Sequence, residues 1–249
     1  MQLIISLIPT LIFLLTVLIG IILTKTKINL DYFLLFVIAI GYSLLLNLPR
    51  DYTTLQFISS RWNWSGKIFA LLFSFVCIAC LRKKLPKHEV GLTTDFKSGS
   101  FKPALIFTIW YLLIICLGSF FFQGRLPHSM DTQDILWNTT ILPDFSEELM
   151  ERGILLVLLN NIFGRKWIFF GAQVGPGLIF ICLLFGLEHG LFVNYSFTFT
   201  LIPFDFFRTV FVSALAFTWL KERTGNLIFP TIAHFGSEMI LTIMITLFF

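Results

Sequence analysis

The chain has 249 residues, of which 57% are hydrophobic, 13% are charged and 31 are phenylalanine, with a formal net charge of +4. An ordinary soluble domain is about a quarter charged, and a water-soluble chain of this length has nowhere to hide so much apolar surface. The composition argues against a soluble enzyme, and with no aromatic-interleaved basic patch or phosphate-cradling glycine loop it argues against a nucleic-acid partner.

A helix that crosses the hydrocarbon of a bilayer needs about 20 mainly apolar residues. Eight apolar runs are legible in chain order: about 3–24, 30–49, 65–81, 103–123, 144–163, 177–193, 199–221 and 227–248. The opening "MQLIISL" lacks a basic flank and stays apolar for about 20 residues, so it reads as a span and not as a cleaved signal. The runs are too long and too uniform for barrel strands, and the expected fold is an all-α, polytopic membrane helix bundle of about eight transmembrane helices. Residues 1–249 are read as one integral membrane domain, with few charges in 1–123.

Cys77, Cys80, Cys116 and Cys182 all fall in apolar runs and read as buried small hydrophobes. Twelve basic residues fall in the odd-numbered breaks: Lys25, Lys27, Arg82, Lys83, Lys84, Lys87, Lys97, Lys102, Arg165, Lys166, Lys221 and Arg223. Arg50, Arg61, Arg125 and the span-edge Lys67 are the four on the other side. This bias places both termini outside and the odd breaks in the cytoplasm. The third break, with six basic and two acidic residues, is expected to lie against anionic headgroups.

Ionisable residues are unevenly spread. The first four runs hold no acid except Asp31 at an edge, whereas the last four hold Glu147, Glu148, Glu151, Glu188, Asp205 and Glu238, with Arg152, Arg208, His189 and His234. A charge at the bilayer centre costs at least about 2.5–3.5 kcal/mol, so such groups face a bundle interior, pair, or do chemistry. In "SEELMER", Glu148 and Arg152 are four apart and share a helix face, while Glu147 points about 100° away. The plainer reading is a solvated helix start with Ser146 as N-cap. Glu188 and His189 lie well inside "LIFICLLFGLEHGLF", and His234 and Glu238 are four apart in the last run. Two intramembrane histidines, each with an acid nearby, favour a functional reading. Asp205 and Arg208, three apart, read as a self-neutralising structural pair, and His88 and His128 in polar loops are given no role. The remaining phenylalanines read as packing and lipid-facing bulk.

Three motifs stand in order: Glu147-Glu148-Leu-Met-Glu-Arg152, Phe185-Gly-Leu-Glu-His189 and His234-Phe-Gly-Ser-Glu238. Together they resemble the CPBP family of CAAX prenyl endopeptidases, abortive-infection and bacteriocin-processing proteins, which carries Glu-Glu-x-x-x-Arg, Phe-x-x-x-His and His-x-x-x-Asn/Asp on membrane helices. The similarity covers about 140–248, with no match in the first 100 residues. It implies an intramembrane endopeptidase of a multi-pass bacterial cell-membrane protein, acting on a membrane-associated or lipidated protein or peptide.

By that resemblance Glu147 is the general base, His189 helps hold the attacking water, His234 faces the oxyanion, and Glu148 and Arg152 form a supporting pair. Glu238 departs from the family's Asn or Asp: an ionised carboxylate cannot donate to an oxyanion, so it is protonated, orients His234, or binds a metal. A zinc site built from His189, His234, Glu147 and Glu238 is the alternative to metal-free chemistry, and the expected cofactor is none or Zn2+. The metal-free version is preferred, since no His-Glu-x-x-His helix is present. The rival readings are a non-catalytic immunity or scaffold member and a proton-coupled transporter, the latter disfavoured because the charges occupy one half only. Counting the rise per residue puts Glu147 and His189 near one end of their spans and His234 about seven residues in from the opposite end. A tilt, or a break at Pro230, is expected to close that gap.

Overall fold

The computed structural model describes residues 2–58, 60–121 and 130–248. His128 and Arg125 lie outside these residues. The helices Gln2–Ser6 and Ile8–Thr24 form one apolar stretch, Leu3–Thr24 (α1). It is followed by Leu30–Asp51 (α2), Trp64–Cys80 (α3), the short Lys87–Val90 (α4), Phe101–Phe121 (α5) and Thr132–Asn138 (α6). Leu142–Glu148 (α7) continues through a π-helical turn, Leu149–Leu155, into Leu156–Phe163 (α8). Pro176–Gly190 (α9) precedes a second helix of the same build, in which Pro203–Arg208 (α10), the π segment Thr209–Ala214 and Leu215–Thr224 (α11) run on. Ile228–Phe248 (α12) ends the bundle. The fold is an all-α helical bundle, with helix in part of each of the eight apolar runs; 191–193 and 199–201 are strand instead.

Among the described residues, α1, α2, α5 and α12 are long and apolar enough to cross a membrane, while α3 and α9 are apolar but shorter. The exposed side chains around them are large and apolar, including Leu23, Phe33, Trp110 and Leu117. In water such a surface would be a liability; facing lipid tails it costs nothing. Two antiparallel hairpins lie in connections: Trp167–Phe169 (β1) with Ala172–Val174 (β2), and Leu191–Val193 (β3) with Phe199–Leu201 (β4). Alternation this short has no clear period, and neither hairpin is expected from the sequence.

Helices of both halves share one core, where Phe13, Leu35 and Ala70 pack with Leu149, Ile154 and Leu158. The basic third break does not simply lie along a surface. Lys97 Nζ donates to Glu222 O at 2.8 Å, Lys221 Nζ to Glu89 O at 2.7 Å, and Asn226 Nδ2 to Asp95 O at 3.0 Å. Arg165 links Glu89 (2.9 Å) to the buried Glu222 (2.7 Å). Burial pushes the Glu89 carboxyl up, but Arg165 and Lys221 outweigh it and hold that group below its ordinary range. Gly91, at φ +92°, passes so close that a Cβ would lie 2.8 Å from Lys221 Cε. The result is a plug over the α11–α12 turn, whose Thr224 and Asn226 are fully buried.

Gly190 ends α9 against α10, where a Cβ would fall 2.7 Å from Phe206 Cα and 2.8 Å from Phe206 N. Backbone cannot yield as a flexible side chain does. Gly190→Leu should therefore lower stability by about 1–3 kcal/mol, read as a lower thermal midpoint of the purified protein; an unchanged midpoint would refute this account of the crossing.

Candidate active site

The sequence motifs meet at one place. Glu148 Oε1 accepts from Arg152 Nη1 at 3.1 Å, as the i, i+4 spacing predicts, and also from His234 Nδ1 at 2.9 Å. A carboxylate can only accept, so His234 carries its Nδ1 proton toward Glu148 and turns Nε2 the other way. That nitrogen lies 3.9 Å from Glu147 Oε2 and 3.9 Å from Asp144 Oδ1. The 100° offset between adjacent residues thus sends Glu147 and Glu148 to opposite nitrogens of one imidazole. Ser146 is not an N-cap: α7 starts earlier, at Leu142, and the Ser146 hydroxyl donates to Lys67 O at 3.4 Å.

Arg152 is fully buried, also pairs with Glu151 at 3.0 Å, and leaves Nε and Nη2 without hydrogen-bond partners. Its guanidinium instead faces aromatic rings, with Cζ 4.3 Å from the Phe185 centroid and 5.6 Å from that of Phe217, which offsets part of the desolvation. The same rings hold the histidines. Phe217 stacks on His234 at 4.9 Å, and Phe185 stands between the two imidazoles, 4.3 Å from His189 and 5.6 Å from His234. His189 Nδ1 is 2.9 Å from Phe185 O. A carbonyl accepts, so this nitrogen donates, leaving Nε2 as a free lone pair.

Glu147, Glu188 and His189 line a cleft of about 530 Å³, within the range typical of ligand sites. Glu188 and His189 are exposed on its wall. Ile5, Asn63, Trp137 and Leu191 also line it, so the cleft opens at the end of the bundle that holds the N-terminus and the even-numbered connections. Its rim is stiffened by Trp62 stacked on Trp137 at 5.0 Å.

The expected break at Pro230 is absent. Pro230 sits in the first turn of a continuous α12, where its missing N–H is tolerated. His234 reaches Glu148 because the buried α11–α12 turn starts α12 deep inside the bundle. Glu238, one turn further, is not on the cleft and makes no hydrogen bond or ion pair with His234 among the described residues; Glu148 occupies the orienting position instead. Asp205 and Arg208 form no ion pair with each other among the described residues, and Arg208 lies within electrostatic reach of Glu238. Cys77 and Cys182 are buried as expected, but Cys80 is exposed.

Lys67 is the residue that sequence reasoning passed over. It is 6% exposed and its ammonium contacts Glu147 Oε1 directly. Its signal was available: a lysine inside "SGKIFALLF" needs a partner within the bundle. Asp144, which the sequence reading does not single out, is also buried. The suggested zinc ligands do not fit a metal as placed. Among the described residues no group of three or more His, Cys, Asp or Glu side chains converges on one point, and a metalloprotease assignment has no support from the donor set.

Residues 134–240, which contain all three motifs, match the family model described as Rce1-like: Type II CAAX prenyl endopeptidase Rce1-like. No curated protein and no solved structure matches the chain. The family that the model describes is one of proteases, and residues 134–240 of this chain are similar to it; the four long apolar helices support an integral membrane protein.

Proposed function

We propose that this chain, whose residues 134–240 match the Rce1-like family model, is an intramembrane endopeptidase of the CPBP family that hydrolyses a peptide bond with water activated by Glu147 and His189. The observation that carries the reading is the two-sided grip on His234: Glu148 on Nδ1 at 2.9 Å, with Glu147 at 3.9 Å from Nε2. Glu147 and the His189 Nε2 lone pair are two acceptors on one cleft, suited to holding a water between them. Glu147 takes a proton from this water as its oxygen adds to the carbonyl carbon. The carbonyl oxygen becomes the oxyanion, which the His234 Nε2–H faces when that nitrogen is protonated. Collapse of the tetrahedral species expels the amine, and Glu147 returns the proton to it. Glu148 and Arg152 act through His234, fixing its tautomer and orientation. No step is routed through a metal.

The bias of basic residues supports a cleft that opens on the outer face of a bacterial cell membrane, within reach of membrane-anchored or lipidated substrates. The ion pair between Lys67 and Glu147 is the observation that favours a non-catalytic member, because a carboxylate held by an ammonium is a poor base.

A labelled-peptide cleavage assay on the purified protein, with and without chelator, separates these readings. His189→Ala should lose at least about 100-fold in rate. Glu238→Gln should stay within about threefold, since it leaves the cleft untouched. Activity that persists in chelator without bound metal retires the zinc version; equal, low turnover in the wild type and His189→Ala retires the peptidase.

A further inference from the structure

The two walls of the cleft differ in charge and in origin. One carries Glu147, Glu188 and His189, from the region of the family match. The other carries Arg50 at the end of α2 and Lys67 in the first turn of α3, with Asn47 and Asn63 beside them. These residues lie outside the matched region 134–240.

Lys67 is committed to Glu147, but Arg50 is not committed to any acid. Its described hydrogen bond runs from Nη1 to Asn47 Oδ1 at 3.2 Å, and it makes no ion pair among the described residues. Asn47 is itself buried and anchored through Nδ2 to Ser43 O at 2.9 Å, so it holds the guanidinium at the cleft wall. An exposed arginine with free donors, on the same cleft as a buried lysine, is suited to a planar anion.

We propose that Arg50 and Lys67 form a subsite for a carboxylate of the bound peptide, and that this carboxylate takes Lys67 away from Glu147. The inference rests on the peptidase reading above and deepens it. With the cleft empty, the ammonium of Lys67 occupies the base. An entering carboxylate supplies Lys67 with a second partner, and Glu147 Oε1 is released to accept the proton of the attacking water. The pair that makes the resting site a poor base becomes the device that couples activation to the correct substrate. A peptide lacking the carboxylate leaves the lysine in place. A chain terminus and an Asp or Glu side chain both supply such a carboxylate and present the same chemistry to the two cations.

The test uses a mixed-sequence set of hexapeptides carrying an uncharged BODIPY label in three forms: free acid, C-terminal amide without acidic residues, and C-terminal amide with one internal Glu. Binding is read by anisotropy on full-length protein in detergent, and cleavage on the same peptides. Acid-bearing forms should bind at least about tenfold more tightly than acid-free amides, equivalent to about 1.4 kcal/mol, and the preference should weaken with salt. Glu147→Gln should bind them more tightly than wild type, because a neutral amide competes for the Lys67 charge less than a carboxylate does. Arg50→Met and Lys67→Met should each bring the preference toward unity, while Lys67→Arg preserves it. Arg50, whose described side-chain hydrogen bond is to Asn47 alone, serves as the reporter if Lys67→Met fails to fold. Preference for the free acid alone identifies a chain terminus; equal preference for internal Glu identifies a side chain. Acid and amide forms binding within twofold of each other, or a preference unchanged in Arg50→Met, overturns the proposal. Acid-selective binding without cleavage upholds the subsite and defeats the peptidase reading; cleavage without acid selectivity does the reverse.

Discussion

Glu147→Gln should abolish most turnover, with kcat falling about 100- to 10,000-fold, the range that a positioned general base supplies. The amide matches the carboxylate in shape and retains an oxygen that can accept from Lys67. It cannot take a proton from water. The loss should therefore appear in kcat, with no rise in KM, the signature of an interaction made in the transition state. The thermal midpoint should fall, because the buried Lys67 ammonium loses its counter-ion and keeps only a neutral acceptor, so kcat is read on the folded fraction. A variant that cleaves at the wild-type rate would remove Glu147 from the chemistry, and Asp144, the other carboxylate 3.9 Å from His234 Nε2, would be the next residue to replace.

Arg152→Met should be the most damaging single change to the fold. The guanidinium is fully buried, with Glu148 fully buried on one side and Glu151 at 2% exposure on the other. Removing it leaves two carboxylates in the interior with no cation between them. Breaking a buried pair in this way costs about 3–5 kcal/mol. The effect should also reach His234, since Glu148 loses the donor that fixes its position. Thermal unfolding of purified protein checks this: a large drop in midpoint, or failure to accumulate, is expected. Glu148→Gln should be milder, because it removes a charge while keeping an acceptor for both Arg152 and His234. An Arg152→Met protein as stable as the wild type would mean that the two acids are held protonated and need no counter-ion.

The local parts of this architecture are legible along the chain. Helix forms within the apolar runs because an apolar segment of about 20 residues in lipid must satisfy its own backbone, and four of these helices are long and apolar enough to cross a membrane. The Glu148–Arg152 pair follows from i, i+4 geometry alone. The three motifs announce themselves because glutamates and histidines inside apolar helices demand a reason. Family-level similarity over 134–240 follows from the same residues.

What lies between helices is another matter. Helix periodicity states which residues share a face, but not how far one helix slides along another. That offset is set here by the plug of Gly91, Asp95 and Lys97 over the α11–α12 turn, residues separated from it by more than 100 positions. It brings His234 level with Glu148 and leaves Glu238 off the cleft, where spacing alone had paired Glu238 with His234. Asp205 and Arg208 likewise share a short stretch without meeting. Lys67 and Glu147 stand 80 residues apart, and no local pattern links them. Composition and periodicity determined the helices and the chemistry they can hold. Only the packing decided which acid faces which base, because buried charges choose partners across helices by desolvation cost, and that cost exists only once the bundle has closed around them.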